Sequence, residues 1–174
     1  LADATQSALP LQHIELGMRY GNPSIEQAVS RLKSCDRIIV LPVFPQYSLA
    51  ATESAIVAAK KSLKRAHFNG EITVIESFFQ HPAFIKAQSE IIQSELIKDH
   101  HLLLSYHGLP EKHLDKVAGC KSTCSRLDPC PAIQANNQRC YRAQCYASSK
   151  AIADKLSLSD KQYSVSFQSR LGKL

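Results

Sequence analysis

The sequence predicts an α/β protein with parallel sheets and helices on both faces of each sheet. Three observations lead to this prediction: apolar strand candidates alternate with amphipathic helix candidates, the strand candidates are short, and 44% of the residues are apolar, as a packed core requires. In such a doubly wound fold, the ligand-binding loops follow the carboxyl ends of the strands. We therefore expect function to concentrate in the loops after Leu16, Leu41, Ile75 and Leu104.

Five segments have the period or the composition of β-strands. Residues 13–20 alternate apolar and polar side chains, which is the period of a strand. Residues 37–43 and 101–106 are nearly continuous apolar runs, which predict strands buried on both faces. Residues 71–75 and 163–168 complete the predicted set.

Four segments have the apolar period of α-helices. Ser24, followed three residues later by Gln27, is a capping-box pattern at a helix start. Asn69 and Gly70 predict a helix stop, and Pro82 predicts the start of the next helix. The predicted helices cover residues 24–34, 52–67, 82–97 and 138–156.

The charge balance excludes some classes of partner. Twenty-one Lys and Arg against fifteen Asp and Glu give a formal charge of +6, which favours anionic partners weakly and leaves peripheral association with an anionic membrane surface open. The basic residues at 60–65 lack interleaved aromatics, so they predict a solvated helix surface and no nucleic-acid interface. No transmembrane helix is predicted, because no uncharged apolar run reaches the roughly 18 residues that one needs.

The six cysteines are distributed unevenly. Cys35 stands alone and is predicted to be an ordinary buried thiol, whereas five cysteines lie between Cys120 and Cys145. An odd cluster argues against a simple disulfide framework and indicates a metal site with one spare thiol, in a reducing compartment such as the cytoplasm. The short spacings suit a [2Fe-2S] centre; zinc, disulfides and unligated thiols are the alternatives.

His107 is the main catalytic candidate. It follows the apolar run 101–106 and precedes Gly108 and Pro110, which restrict the backbone of the loop. A histidine at the carboxyl end of a buried strand lies where ligands bind, and an imidazole can transfer protons or bind metal near neutral pH. Four other histidines are predicted to be structural: His81, His100, His101 and His113.

Four segments together resemble the ferrochelatase family. They are RYG at 19–21, FPQYS at 44–48, SYHGLP at 105–110 and FQSRLG at 167–172, and they occur in the order and spacing of that family. The resemblance covers almost the whole chain. It implies two doubly wound, Rossmann-like units of the chelatase type facing each other across a porphyrin cleft, each only partly present. Residues 1–99 would be the later part of the first unit, and residues 100–174 the start of the second, with a Cys-rich insertion at 111–146.

The resemblance also implies an activity and its residues. His107 matches the active-site histidine, and Arg19, Tyr20, Tyr47 and Ser48 match residues that line the cleft. The implied reaction is insertion of ferrous iron into protoporphyrin or coproporphyrin in haem biosynthesis. A chelatase for another metal and a non-catalytic porphyrin-binding module are the alternatives. The glycine-rich loop of the family is expected before the first residue, and its acidic motif after the last.

Some ferrochelatases of bacteria carry an iron-sulfur cluster on internal cysteines, and the segment CYRAQC at 140–145 is similar to theirs. The resemblance therefore favours a [2Fe-2S] cluster. Its expected ligands are Cys124, Cys130, Cys140 and Cys145, with Cys120 as the alternate ligand.

Overall fold

Each of two units of the chain contains a pair of parallel strands joined through a helix. The computed structural model describes residues 2–96, 100–117 and 130–168. The first unit comprises Leu1–Val43 and Ala50–Glu76, and the second comprises Phe44–Leu49 and Ser77–Leu174. The small parallel sheets and their helices confirm the predicted α/β class.

The first unit is a β-α-β arrangement preceded by two helices. Strands β1 and β2 pair in parallel, with Arg37 opposite Glu71 and Val40 opposite Val74. A π-helical turn over Leu49–Glu53 precedes the connecting helix. The elements are α1 (Ala2–Ala8), α2 (Ile25–Leu32), β1 (Arg37–Val40), α3 (Ser54–Arg65) and β2 (Glu71–Val74).

The core of the first unit forms where α2, β1 and α3 meet. Val29, Ile38 and Leu63 are buried there, and Cys35 is a partly buried thiol packed against them. The Ser24 side chain accepts a hydrogen bond from the backbone of Gln27 while the Gln27 side chain accepts one from Ser24, so the predicted capping box is confirmed.

Helix α3 ends earlier than predicted, and a residue other than Gly70 ends it. His67 adopts a positive φ of 52°, and the Phe68 N–H donates to the Leu63 carbonyl at 3.0 Å, as in a Schellman motif. Gly70 therefore does not stop the helix. It is required by packing, because a Cβ at this position would lie 2.3 Å from the backbone oxygen of Asp36.

The second unit contains the other parallel pair. Strand β3 (Leu102–His107) runs beside β4 (Tyr163–Gln168), with Leu102 opposite Tyr163 and His107 opposite Gln168. Ile85, Ile152 and Leu156 form its core, against which Leu102 packs. The helices are α4 (Pro82–Glu95), α5 (Glu111–Leu114) and α6 (Tyr141–Lys155).

The predicted strand at 13–20 is wrong. In the part of the chain that the structure describes, this segment pairs only through a single bridge between Met18 and Ser24. A strand is stabilised by a ladder of hydrogen bonds to a neighbour, which the alternating pattern alone does not supply. Polar contacts hold the segment instead: Glu15 accepts from Arg31 at 2.9 Å and lies 3.0 Å from His13. Arg31 lowers the pKa of that carboxyl.

The prediction that β1 and β3 are buried on both faces is also wrong for the described residues. Ile39 is 53% exposed and Leu103 is 60% exposed, whereas Ile38 is buried and Leu102 is half-buried. Each described sheet has two strands, and its helices pack against the face that carries Ile38 or Leu102. The predicted domain boundary after residue 99 concerns the units of the complete fold and stays a prediction; within this chain, α4 groups with the second unit.

The remaining predicted elements agree with the structure to within a few residues. They are α2, α3, β2, α4, α6 and β4. Among the described residues, every helix is too short or too polar to cross a membrane.

Candidate functional site

His107 is the last residue of β3, and its side chain is exposed. The register with β4 continues past it, because the Gly108 N–H donates to the Gln168 carbonyl at 2.6 Å. The Tyr141 hydroxyl, at the start of α6, donates to the backbone carbonyl of His107 at 3.0 Å. The structure therefore presents the imidazole at the carboxyl end of a strand whose backbone is held on both sides.

Aromatic rings pack beneath this strand end. The ring of Phe167 lies 6.0 Å from Tyr106, 6.5 Å from Tyr141 and 6.2 Å from Tyr146, measured between centroids. The Tyr106 hydroxyl forms a 2.8 Å hydrogen bond with Ser149 on α6. Burial raises the pKa of Tyr106 to about 12, so this phenol stays protonated at neutral pH.

The loop 44–49 is held against α6. The Tyr47 N–H donates to the side-chain oxygen of Gln144 at 2.6 Å, and the Gln46 amide donates to Ser148 at 3.0 Å. The Tyr47 side chain is 1% exposed, and the guanidinium of Arg139 lies 4.2 Å from the centre of its ring. Ser48 is buried as well. These two predicted cleft residues thus lie in the same unit as His107, on loop 44–49, which α6 holds.

Arg19 and Tyr20 belong to the first unit and are exposed. The Arg19 Nε donates to the hydroxyl of Ser54 at 3.1 Å, and its guanidinium carbon lies 4.6 Å from the centre of the Tyr20 ring. The Tyr20 side chain is 76% exposed. A fixed guanidinium beside an open aromatic face is suited to a flat, carboxylate-bearing ligand.

Three of the five clustered cysteines lie within the described residues. Cys130 and Cys140 pack in one buried group with Ala143, and Cys145 is fully buried one turn further along α6. Burial, with smaller contributions from the other two thiols, raises the pKa of Cys145 to about 12. Among the residues that the structure describes, no three His, Cys, Asp or Glu side chains form a ready metal-holding group. Cys120 and Cys124 lie outside the described residues.

Two of the histidines that the sequence predicts to be structural make local polar contacts. His81 caps α4, because its Nδ1 accepts from the Ala83 N–H at 3.3 Å. His101 pairs with the Ser164 hydroxyl at 2.7 Å, at the amino end of the β3 and β4 ladder.

Sequence reasoning missed the role of α6. The cysteines of the segment CYRAQC predict a metal site, yet the side chains that contact the strand end and loop 44–49 are Tyr141, Gln144 and Ser148. Their spacing offers the missing signal, since residues three and four apart share one face of a helix. Polar residues on a face that also carries Cys145 and Ile152 indicate buried hydrogen bonds.

The chain is similar in sequence to known proteins over its whole length. A sequence model described as Ferrochelatase matches residues 1–174. A protein named Ferrochelatase from Legionella pneumophila subsp. pneumophila (strain Philadelphia 1) is 46% identical over 174 residues, covering 99% of this chain and 52% of the relative. Another, from Coxiella burnetii (strain Dugway 5J108-111), is 48% identical over 167 residues, covering 92% of this chain and 45% of the relative.

Fold and site together define an α/β protein with a histidine presented at a strand end beside a cysteine-bearing helix. The match over the full chain makes the assignment specific: this chain belongs to the ferrochelatase family. It spans about half the length of the curated relatives that it matches.

Proposed function

We propose that the complete protein is a metal chelatase that inserts ferrous iron into a porphyrin in haem biosynthesis. The observation that carries this proposal is the exposed imidazole of His107 at the carboxyl end of β3, in a chain of the ferrochelatase family. Protoporphyrin and coproporphyrin both fit the proposal.

The chemistry requires a group that handles protons at neutral pH. Metallation removes the two pyrrole N–H protons while ferrous iron, the second substrate, enters the macrocycle. An exposed imidazole can accept such a proton or pass the metal ion on, and the hydrogen bond from Tyr141 fixes the backbone from which the imidazole projects. His107 is therefore the proposed catalytic residue.

The residues proposed for the porphyrin site are of two kinds: exposed residues that could contact the porphyrin directly, and buried residues that support them. Arg19 and Tyr20 are exposed, so a propionate could pair with the guanidinium while the ring contacts the macrocycle. Tyr47 and Ser48, in the second unit, are also proposed as porphyrin-site residues, and their burial favours a supporting role beneath the surface of that unit.

We also propose a [2Fe-2S] cluster held by Cys124, Cys130, Cys140 and Cys145, with Cys120 as the alternate ligand. The proposal is supported by the burial of Cys130 and Cys140 in one apolar group and by the full burial of Cys145 on the helix that Cys140 caps. Such a cluster, when bound, would supply a redox-active centre held by thiolates.

The cluster proposal is tested by the metal content of anaerobically purified complete protein. We expect iron and acid-labile sulfide in equal amounts, and loss of both in the variants C130S, C140S and C145S. The variant C35S is the control, because Cys35 packs in the first unit, and it should keep the full content. Zinc without sulfide would contradict the proposal and favour the alternative metal.

Localisation in the cytoplasm is proposed from the same cysteines, because a reducing compartment keeps thiols available as ligands. The described cysteines are free thiols, which supports this proposal. Peripheral membrane association is a further proposal, supported by the formal charge of +6.

The function is tested by an anaerobic assay of the complete protein with each porphyrin and ferrous ion. We expect the Soret band of the free porphyrin to be replaced by that of the metallated product. Porphyrin binding without metallation would contradict the proposal and indicate a binding module. Turnover with cobalt or nickel but not with iron would indicate a chelatase for another metal.

A further inference from the structure

The backbone of His107 is held by two hydrogen bonds of different origin. On one side, the Gly108 N–H donates to the Gln168 carbonyl at 2.6 Å, which extends the ladder by one residue. On the other, the carbonyl of His107 accepts from the Tyr141 hydroxyl at 3.0 Å. Both bonds belong to the single peptide unit that links His107 to Gly108, so together they fix the plane of that peptide.

The Tyr141 hydroxyl is itself held in place. Its ring packs against Phe167 of β4 at a centroid distance of 6.5 Å, and it follows Cys140, the N-cap of α6. Because both β4 and α6 hold Tyr141 in place, its hydroxyl can fix the position of the His107 carbonyl.

We infer that Tyr141 is a positioning residue for His107: its hydroxyl holds the peptide after the catalytic histidine and thereby sets the direction of the imidazole. This inference rests on the proposed function of His107. Tyr141 is not proposed to touch the porphyrin or the metal ion.

The physical reason is the position of His107 at the end of the ladder. The ladder supplies one last bond to the peptide that follows, through the Gly108 N–H, whereas the carbonyl of that peptide is held by the Tyr141 hydroxyl. Without the Tyr141 bond, this peptide is held on its N–H side only and can rotate more freely. Rotation of this peptide changes ψ of His107 and displaces the loop 108–110. Displacement of a catalytic group by about 1 Å can cost roughly a hundredfold in rate.

The test is Tyr141→Phe in the complete protein, which removes only the hydroxyl. We expect kcat for iron insertion to fall roughly tenfold to a hundredfold while KM for the porphyrin stays unchanged, because binding residues are not altered. Hydrogen exchange of the Gly108 amide should become faster, while exchange at Leu102, whose N–H donates to the Gln162 carbonyl at the other end of the ladder, stays as in the parent. 3-Fluorotyrosine at position 141, which keeps the donor, should restore both.

The matched control is Tyr163→Phe. Tyr163 is the first residue of β4, opposite Leu102, so this change removes a phenol hydroxyl from the other end of the same ladder. We expect its kcat and its Gly108 exchange to equal those of the parent.

Two results would overturn the inference. One is a folded Tyr141→Phe protein with the kcat and the Gly108 exchange of the parent. The other is a variant that does not fold, which would make the hydroxyl a requirement of the fold and not a positioning group. If the parent itself metallates no porphyrin, the proposed function fails, and Gly108 exchange still decides whether Tyr141 holds this peptide.

Discussion

The side chains of consecutive residues in β3 point to opposite faces of the sheet. Tyr106 points inward, where Ser149 pairs with its hydroxyl, and His107 points outward with an exposed imidazole. The alternation of a strand follows from its period of two residues, so the sequence predicts that neighbours face apart. The sequence does not predict the partner of Tyr106, because Ser149 is 43 residues away along the chain. Non-local contacts of this kind depend on how α6 packs, which local periodicity does not encode.

The burial of Tyr106 predicts a pH dependence of stability. The folded phenol has a pKa of about 12, raised by burial from the ordinary value of 10.0. Between these two values the unfolded state loses its proton first, so the folded state is destabilised as pH rises. Tyr106→Phe lacks this ionisation. We therefore expect the stability advantage of the parent over Tyr106→Phe to shrink from pH 9 to about pH 12. Denaturant unfolding across this range measures the difference, and a constant difference would contradict the account.

At the scale of elements, α6 connects most of the site. The apolar period predicted a helix over 138–156, and the structure has Tyr141–Lys155. The period did not predict that polar groups occupy its buried face, where Gln144, Ser148 and Ser149 are almost fully buried. Buried polar side chains are stable only when they are paired, and their partners come from distant segments of the second unit.

Substitution of Gln144 tests whether these buried hydrogen bonds stabilise the second unit. Its oxygen accepts from the Tyr47 N–H and its amide donates to the Gln138 carbonyl. Gln144→Ala leaves buried groups unpaired, so we expect the free energy of unfolding to fall by about 1–3 kcal/mol. Lys155→Ala, on the exposed side of the same helix, should change it by less than about 0.5 kcal/mol. Equal effects of the two changes, measured by denaturant unfolding, would show that loop 44–49 is not held by Gln144.

At the scale of the whole molecule, the α/β class, the parallel pairing and the position of His107 could be predicted from the sequence, because they depend on alternation and short-range pattern. The irregular conformation of residues 13–20 could not be predicted, because an alternating pattern does not show whether a neighbouring strand is available for pairing. The exposed faces of β1 and β3 could not be predicted either. An apolar run shows that a strand can be buried on both faces, but it does not show which elements cover those faces.

The exposed face of β3 leads to a prediction about the complete protein. Leu103 is 60% exposed in this chain, although runs such as LLL at 102–104 are typical of sheets covered on both faces. We expect Leu103→Asp to destabilise the complete protein by at least about 2 kcal/mol, because a carboxylate would be buried there. Ile91→Asp is the control: this helix residue is 63% exposed and should tolerate the change. A cost for Leu103→Asp as small as that of the control would show that this face is open in the complete protein.

The most direct test of the central claim is iron insertion by the His107→Ala variant of the complete protein, compared with His101→Ala. Both histidines are exposed and lie at opposite ends of the same ladder. We predict that His107→Ala lowers kcat by at least about a hundredfold, with the Tm and the porphyrin affinity of the parent, whereas His101→Ala leaves kcat unchanged. Parental turnover in His107→Ala would contradict the account.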